Sequence, residues 1–240
     1  MMIPKILQFV WFGPPLPRWA KWLMGRWEAL NPEWEVRLHG EEVLDDRYGD
    51  LYGRIEDTCS RSDLLRLSVL RQEGGIFWDS DFVPLLPLDP LLERLGVEDI
   101  FLSLQWGRVG KKYVANGVIG ITSDSPLWAE IDRLVDETVI GSPDGLLPQG
   151  ELERTSFGPL LTTQLVERNP HIPLSEVGDF YPHRPPRDAC IAKLATIWRA
   201  GFSPESIAAS GAAGSTATHL WLGGDYNISE LDALALDKVM

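Results

Sequence analysis

Apolar positions along this chain switch between two periods, and the switches mark out its elements. Residues 3–12 (IPKILQFVWF) are a short apolar run that reads as a buried strand, broken by GPPLP. Trp19, Trp22, Leu23, Trp27 and Leu30 recur at helical spacing up to Asn31-Pro32, and residues 34–38 alternate as a strand does. Residues 28–57 are rich in acids and read as a solvated helical lobe. Leu64, Leu65, Leu67, Val69 and Leu70 give the next helical stripe, and Gly74 or Gly75 suits the left-handed residue that ends it. Ile76, Phe77 and Trp78, β-branched or aromatic, form a second buried strand, and Pro84 bars its regular continuation. Further on, the pattern predicts a short helix over 88–95 and strands over 100–104 and 113–121. A helix runs from Ser125-Pro126 to about Thr138, an exposed loop covers 141–150, and helices lie near 158–168 and 188–200. Alternating strands and helices predict an α/β fold: a mostly parallel, Rossmann-like sheet flanked by helices, in one domain over 1–240.

Charge narrows the partners. Lys and Arg number 22 against 35 acids, a net charge of −13 over 240 residues. An acidic surface repels nucleic-acid phosphates, so general nucleic-acid binding is disfavoured. No apolar stretch is long enough to span a membrane, and residues 3–12 serve better as a first strand than as a signal peptide. Cys59 and Cys190, far apart in sequence, read as two thiols of a cytoplasmic protein rather than a disulfide.

Chemistry concentrates in RSDLLRLSVLRQEGGIFWDSD, residues 61–81. Asp79 and Asp81 fall where the Ile76–Trp78 run ends, and the carboxyl ends of strands are where α/β sheets bind ligands. Two carboxylates one residue apart can turn toward one hard cation such as Mn²⁺ or Mg²⁺. Asp63 and Arg66 share a helix face three residues apart just upstream. A local ion pair at the helix start accounts for either residue alone, but not for their joint place before Gly-Gly-strand-Asp-Ser-Asp.

This segment resembles the sugar-binding region with a DXD motif of glycosyltransferase family 32. That group includes yeast α-1,6-mannosyltransferases, bacterial capsule and surface-glycan (polysaccharide biosynthesis) enzymes and, more distantly, clostridial glucosylating toxins. IPKILQFVWFG resembles the family's first strand, NPEWEVRLHG its second, and PLLPLDPLL its continuation, with weaker echoes at NGVIG, SFGPLLT, FYP and HLW. The resemblance implies a GT-A fold and a metal-dependent, retaining transfer of a hexose from a UDP- or GDP-sugar to a glycan or other hydroxyl acceptor. It implies Asp81 as direct ligand of Mn²⁺ or Mg²⁺, with Asp79 toward the ribose or the metal's water shell. By the same token Asp63 and Arg66 contact the donor sugar and diphosphate. Phe9, Val10 and Trp11 form the base pocket, and Asn116 is a further candidate for the sugar.

The uncharged segment 206–218 (SIAASGAAGSTAT) leads into His219-Leu220-Trp221. It buries little apolar area and reads as a mobile lid over 206–221 or as a plain surface loop. His219 is either a third metal ligand or a satisfied core histidine. Where the family continues with Ser-Trp, this chain has Gly223-Gly224-Asp225-Tyr226-Asn227, offering Asp225 or Asn227 as substitute oxygen ligands. Arg108, Lys111 and Lys112 form one basic cluster, a solvated loop or a contact for an acidic acceptor. Two rivals stand beside the transferase: a metal-dependent nucleotidyltransferase or phosphohydrolase, and a glycan- or nucleotide-sugar-binding protein without turnover.

Overall fold

In a computed structural model of the chain, describing residues 2–106, 112–140, 156–182 and 187–220, the segment singled out above forms one helix-turn-strand unit. Helix α3 (Thr58–Glu73) starts earlier than its apolar stripe, because Asp57 caps it by accepting from the Ser60 N–H. It is buried from Ser60 through Leu70 save Arg61 and Ser62, so Asp63 and Arg66 are taken into the interior with the leucines. Gly74 (φ +68°) and Gly75 (φ +100°) turn the chain into strand β3 (Gly75–Trp78). A Cβ on Gly75 would lie 2.6 Å from the carbonyl oxygen of Ile6, so strand β1 (Ile6–Val10) can approach only a glycine there. Gly75→Ala should therefore lower the stability of the protein by about 2 kcal/mol or more. Urea unfolding measures this directly, and an unchanged midpoint would contradict the close approach.

The central sheet has the order β2-β1-β3-β6-β5-β7, with β2 at Glu35–His39, β5 at Ile100–Trp106, β6 at Lys112–Ile121 and β7 at Leu174–Ser175. Strand β1 pairs parallel with β2 and β3, and β5 pairs parallel with β7. Strand β6 runs antiparallel to both neighbours. Five strands thus point one way, and the expected mostly parallel α/β sheet is present.

Both faces of the sheet are covered, and the period of two sorts the strand residues between them. Phe77 and Val10 face α3, α5 (Trp128–Ile140) and α6 (Pro159–Arg168). Leu7, Phe9, Ile76 and Trp78 face α1 (Arg18–Leu30), α4 (Asp89–Leu95) and α7 (Val177–Phe180). Trp27 packs on Trp78 with ring centroids 4.3 Å apart. Helix α2 (Asp46–Arg54) corrects the solvated-lobe expectation on one side: Tyr48, Tyr52 and Ile55 are buried in the α3 core despite the acids around them.

Near the aspartates the structure adds one element and corrects one expectation. The strand of Ile76–Trp78 stops before Pro84 as expected, but an unexpected short strand, β4 (Phe82–Pro84), lies between and ends on the proline. This pairs antiparallel with β8 (Ala217–His219) in a separate two-stranded ribbon, where a proline at the strand's end costs little. Residues 206–220, read from the sequence as a mobile lid or a plain surface loop, are packed. Pro204–Ala209 is helix α9, capped by Ser203, and it follows α8 (Arg187–Arg199). Ala212, Ser215, Thr216, Ala217, Thr218 and Leu220 are buried. The Ser215 hydroxyl donates to the Gly178 carbonyl, and the Thr216 N–H donates to that of Asp179 at 2.8 Å. Small side chains here allow close approach rather than freedom. Trp221, the 141–150 loop, Arg108, Lys111, Asp225 and Asn227 lie outside the described residues.

Candidate active site and metal centre

The carboxyl ends of β1 and β3, the first turns of α3 and the ribbon β4–β8 surround a pocket of about 250 Å³. Asp79 and Asp81 flank the turn between β3 and β4. The Asp79 N–H donates to Gly117 O at 2.9 Å, and the Asp81 carbonyl accepts from the Leu220 N–H at 3.1 Å. Because Phe82 is in register with His219, the ribbon carries the histidine back over the aspartates. His219 Nε2 lies 3.0 Å from Asp81 Oδ1 and 3.9 Å from Asp79 Oδ2. One ligand atom from each of the three residues falls within 4.8 Å of the others. Two hard carboxylate oxygens and one imidazole nitrogen suit Mn²⁺, and Mg²⁺ through the carboxylates and water. The donor set fits the expected divalent ion.

Behind these ligands, Arg66 is clamped among carboxylates. Its Nη2 lies 2.7 Å from Asp79 Oδ1 and its Nη1 3.1 Å from Asp63 Oδ1, while Nη1 also donates to the Asn116 carbonyl at 2.6 Å. The guanidinium lies over the Phe77 ring, 4.4 Å from its centroid. Asn116 Nδ2 donates to Asp63 Oδ1 at 2.7 Å. The four residues expected around the donor, Asp63, Arg66, Asp79 and Asn116, therefore form one bonded unit. Both terminal nitrogens of Arg66 are engaged by the protein, so its first task here is to hold Asp63 and Asp79 apart and in place.

Charge in this unit is strongly coupled to burial. Removal from water pushes the Asp63 carboxyl up to about 7, and the neighbouring Asp79 adds to the rise while Arg66 and Asn116 oppose it. Asp79 is also raised, by burial and by Asp81, against the pull of Arg66. Burial alone would lower the His219 imidazole, but its contact with Asp81 and the nearby Asp79 raise it overall. Two of these acids, Asp63 and Asp79, share Arg66 while Asp81 contacts His219, and a bound cation would relieve the remaining repulsion between Asp79 and Asp81.

Of the expected base-pocket residues, Val10 and Trp11 line the cavity and Phe9 does not. Phe9 is 1 % exposed and faces the opposite side of β1, among Leu7, Trp27 and Trp78. Strand alternation makes the correction: if Val10 faces the pocket side, Phe9 cannot. Phe12 takes its place, and Trp19, read from the sequence only as part of a helical stripe, also lines the pocket with its ring 6.5 Å from that of Trp11. Thr58, Cys59 and Ser62 were missed as lining residues. Helical spacing back from Asp63 and Arg66 leads to positions 59 and 62, a signal present in the sequence.

Residues 21–97 match the family described as the glycosyltransferase sugar-binding region containing DXD motif. Among solved structures, the chain is similar to the PaToxG glycosyltransferase at 14% identity, covering 98% of this chain and 84% of that one with a TM-score of 0.53. It is similar to the ligand-free glycosyltransferase domain of the YGT toxin at 10% identity, over 73% of this chain and 80% of that one, with a TM-score of 0.51. It is also similar to the apo glycosyltransferase GlyE of Streptococcus pneumoniae TIGR4 at 12% identity, over 98% of this chain and 63% of that one, with a TM-score of 0.51. At these identities the shared feature is the fold, an α/β sheet of the GT-A kind. The family and these structural neighbours are glycosyltransferases, as the sequence resemblance implied.

Proposed function

We propose, on the match of residues 21–97 to the glycosyltransferase sugar-binding region containing DXD motif, a metal-dependent, retaining hexosyltransferase. Its donor is a UDP- or GDP-sugar, and its acceptor a hydroxyl of a glycan or another molecule. The observation that carries this reading is the convergence of Asp79, Asp81 and His219 in the same pocket that Asp63 and Arg66 line. A bound Mn²⁺ or Mg²⁺ supplies Lewis-acid stabilisation of the charge that builds on the leaving diphosphate. Asp81, the less exposed of the two motif carboxylates, offers a direct ligand, and His219 a second (side-chain exposures 12% each, against 30% for Asp79). Asp79, held by Arg66, faces the same ion or the ribose. The Asp63 carboxylate accepts from hydroxyls of the sugar. The Trp11 N–H donates to the His39 carbonyl at 2.8 Å, so the Trp11 carbonyl reads the base edge, and the Trp11 ring gives it a stacking face.

Retention suits this pocket. Its carboxylates among the described residues are Asp63, Asp79 and Asp81, all engaged with Arg66 or His219. That leaves none of them placed as a covalent nucleophile and favours attack on the face of the departing diphosphate. The same census weighs against two-metal phosphoryl chemistry, which calls for additional acids around Asp79 and Asp81. A cytoplasmic setting belongs to this reading on the sequence alone; among the described residues no helix is long and apolar enough to cross a membrane.

The test is a donor screen. The protein is incubated with UDP- and GDP-sugars, with Mn²⁺, Mg²⁺ or EDTA, and released sugar and nucleotide are quantified. One donor should be hydrolysed slowly in the presence of metal and spared in EDTA. Binding without turnover of any donor would favour the binding-protein reading, and cleavage of simple phosphate esters instead would favour a phosphohydrolase.

A further inference from the structure

Strand β6 is irregular where it passes the candidate metal centre. Leu102 of β5 is opposite Ile119, yet the next residue, Ser103, is opposite Ala115, so Asn116, Gly117 and Val118 bulge out of the ladder. A bulge bends its strand and re-aims the groups on it. Each bulged residue here has a task. The Asn116 carbonyl accepts from Arg66 and the Gly117 carbonyl from the Asp79 N–H, while Val118 keeps the register with Trp78.

Gly117 stands out among them. A Cβ at this position would lie 2.7 Å from Asp79 Oδ2, 2.8 Å from the Tyr181 hydroxyl oxygen and 3.2 Å from Phe82 Cε2. Its φ is not in the left-handed region, so space and not backbone conformation is what calls for glycine. The oxygen it makes room for is Oδ2, the one 3.9 Å from His219 Nε2; the other, Oδ1, is held by Arg66. Resting on the metal assignment made above, we propose that Gly117 is the positioning residue of Asp79. Its carbonyl fixes the main chain of the aspartate, and its bare α-carbon leaves the gap that aims Oδ2 at the ligand cluster.

A double-mutant cycle of Gly117→Ala and Asp79→Ala tests this in two media. In EDTA, thermal melts should show Gly117→Ala destabilised, with a clearly smaller loss when Asp79→Ala removes the carboxylate that the new methyl strikes. If Gly117→Ala alone does not fold, recovery of a folded double variant is the same result. With Mn²⁺, calorimetry should show nucleotide affinity at least tenfold weaker in Gly117→Ala and no further loss on adding it to Asp79→Ala. Gly49→Ala, a helical glycine with no atom within 4 Å of the added carbon, should leave affinity unchanged. Additive effects in EDTA, or full Mn²⁺-dependent affinity in Gly117→Ala, would overturn the proposal. Should Asp79→Ala itself leave nucleotide affinity intact, the metal assignment falls, and the EDTA cycle still decides the role of Gly117.

Discussion

Asp81→Asn is expected to weaken Mn²⁺-dependent nucleotide binding by on the order of a hundredfold or more and to abolish measurable donor turnover, without unfolding the protein. The amide has the size and shape of the carboxyl, so the β4–β8 ribbon and the Asp81 backbone bond to Leu220 are untouched. What is lost is one of the negative charges on the ligand cluster and the close partner of His219 at 3.0 Å. With that partner gone, His219 loses the main influence that raises its pKa and becomes neutral more readily at pH 7. A neutral imidazole is a better ligand than its protonated form, so any residual metal binding should run through His219. Calorimetry with UDP and GDP, in Mn²⁺ and in EDTA, reads both parts. Equal affinity of variant and wild type in Mn²⁺ would remove Asp81 from the site.

The second large effect belongs to Asp63. Asp63→Ala should cut donor-sugar turnover by about a hundredfold or more while changing affinity for the free nucleotide much less, because in the proposed function the carboxylate serves the sugar and not the base. A pH experiment separates this role from a purely structural one. With the folded carboxyl near 7 and the unfolded one near the usual aspartate value of about 4, the native state binds more protons across that interval. Stability of the metal-free protein is therefore highest below about pH 4 as far as this group is concerned, and falls as pH rises to about 7, by on the order of 2–4 kcal/mol. Asp63→Asn stays neutral throughout and should flatten that slope. Chemical denaturation at several pH values in EDTA gives the comparison. A variant whose pH slope matches the wild type would mean that Asp63 is ionised in the fold like any exposed aspartate.

The part of the site legible in sequence is the part built from one continuous stretch. Helix period, glycine pair, apolar strand and the Asp-Ser-Asp turn all lie within residues 61–81, so local rules carry Asp63, Arg66, Asp79 and Asp81 to one place. Phe9 failed for a local reason as well: a strand buried on both faces, with Gln8 its one polar residue, gives too little alternation from which to read direction. The rest depended on contacts distant in sequence. That Asn116 holds Asp63, or that residues 116–118 leave the ladder, is visible only once β5 and β6 are paired. The error over residues 206–218 has the same origin. Their small side chains look too poor in apolar area to order themselves, but Thr216 O accepting from both Leu85 and Leu86 shows the segment ordered by the chain beyond the motif.

The ribbon also fixes when the centre can exist during folding. Strands β4 (Phe82–Pro84) and β8 (Ala217–His219) are far apart in sequence, and His219 reaches Asp81 only after the long segment between them has closed. Closing so long a loop is a late event, since its entropy must be spent before the contacts that reward it are made. The helix and strand that carry the two aspartates to the site are contiguous in sequence, whereas the histidine joins them only through this long closure. The proposed metal affinity is thus a readout of the finished topology, and a chain arrested short of it would hold the motif without the site.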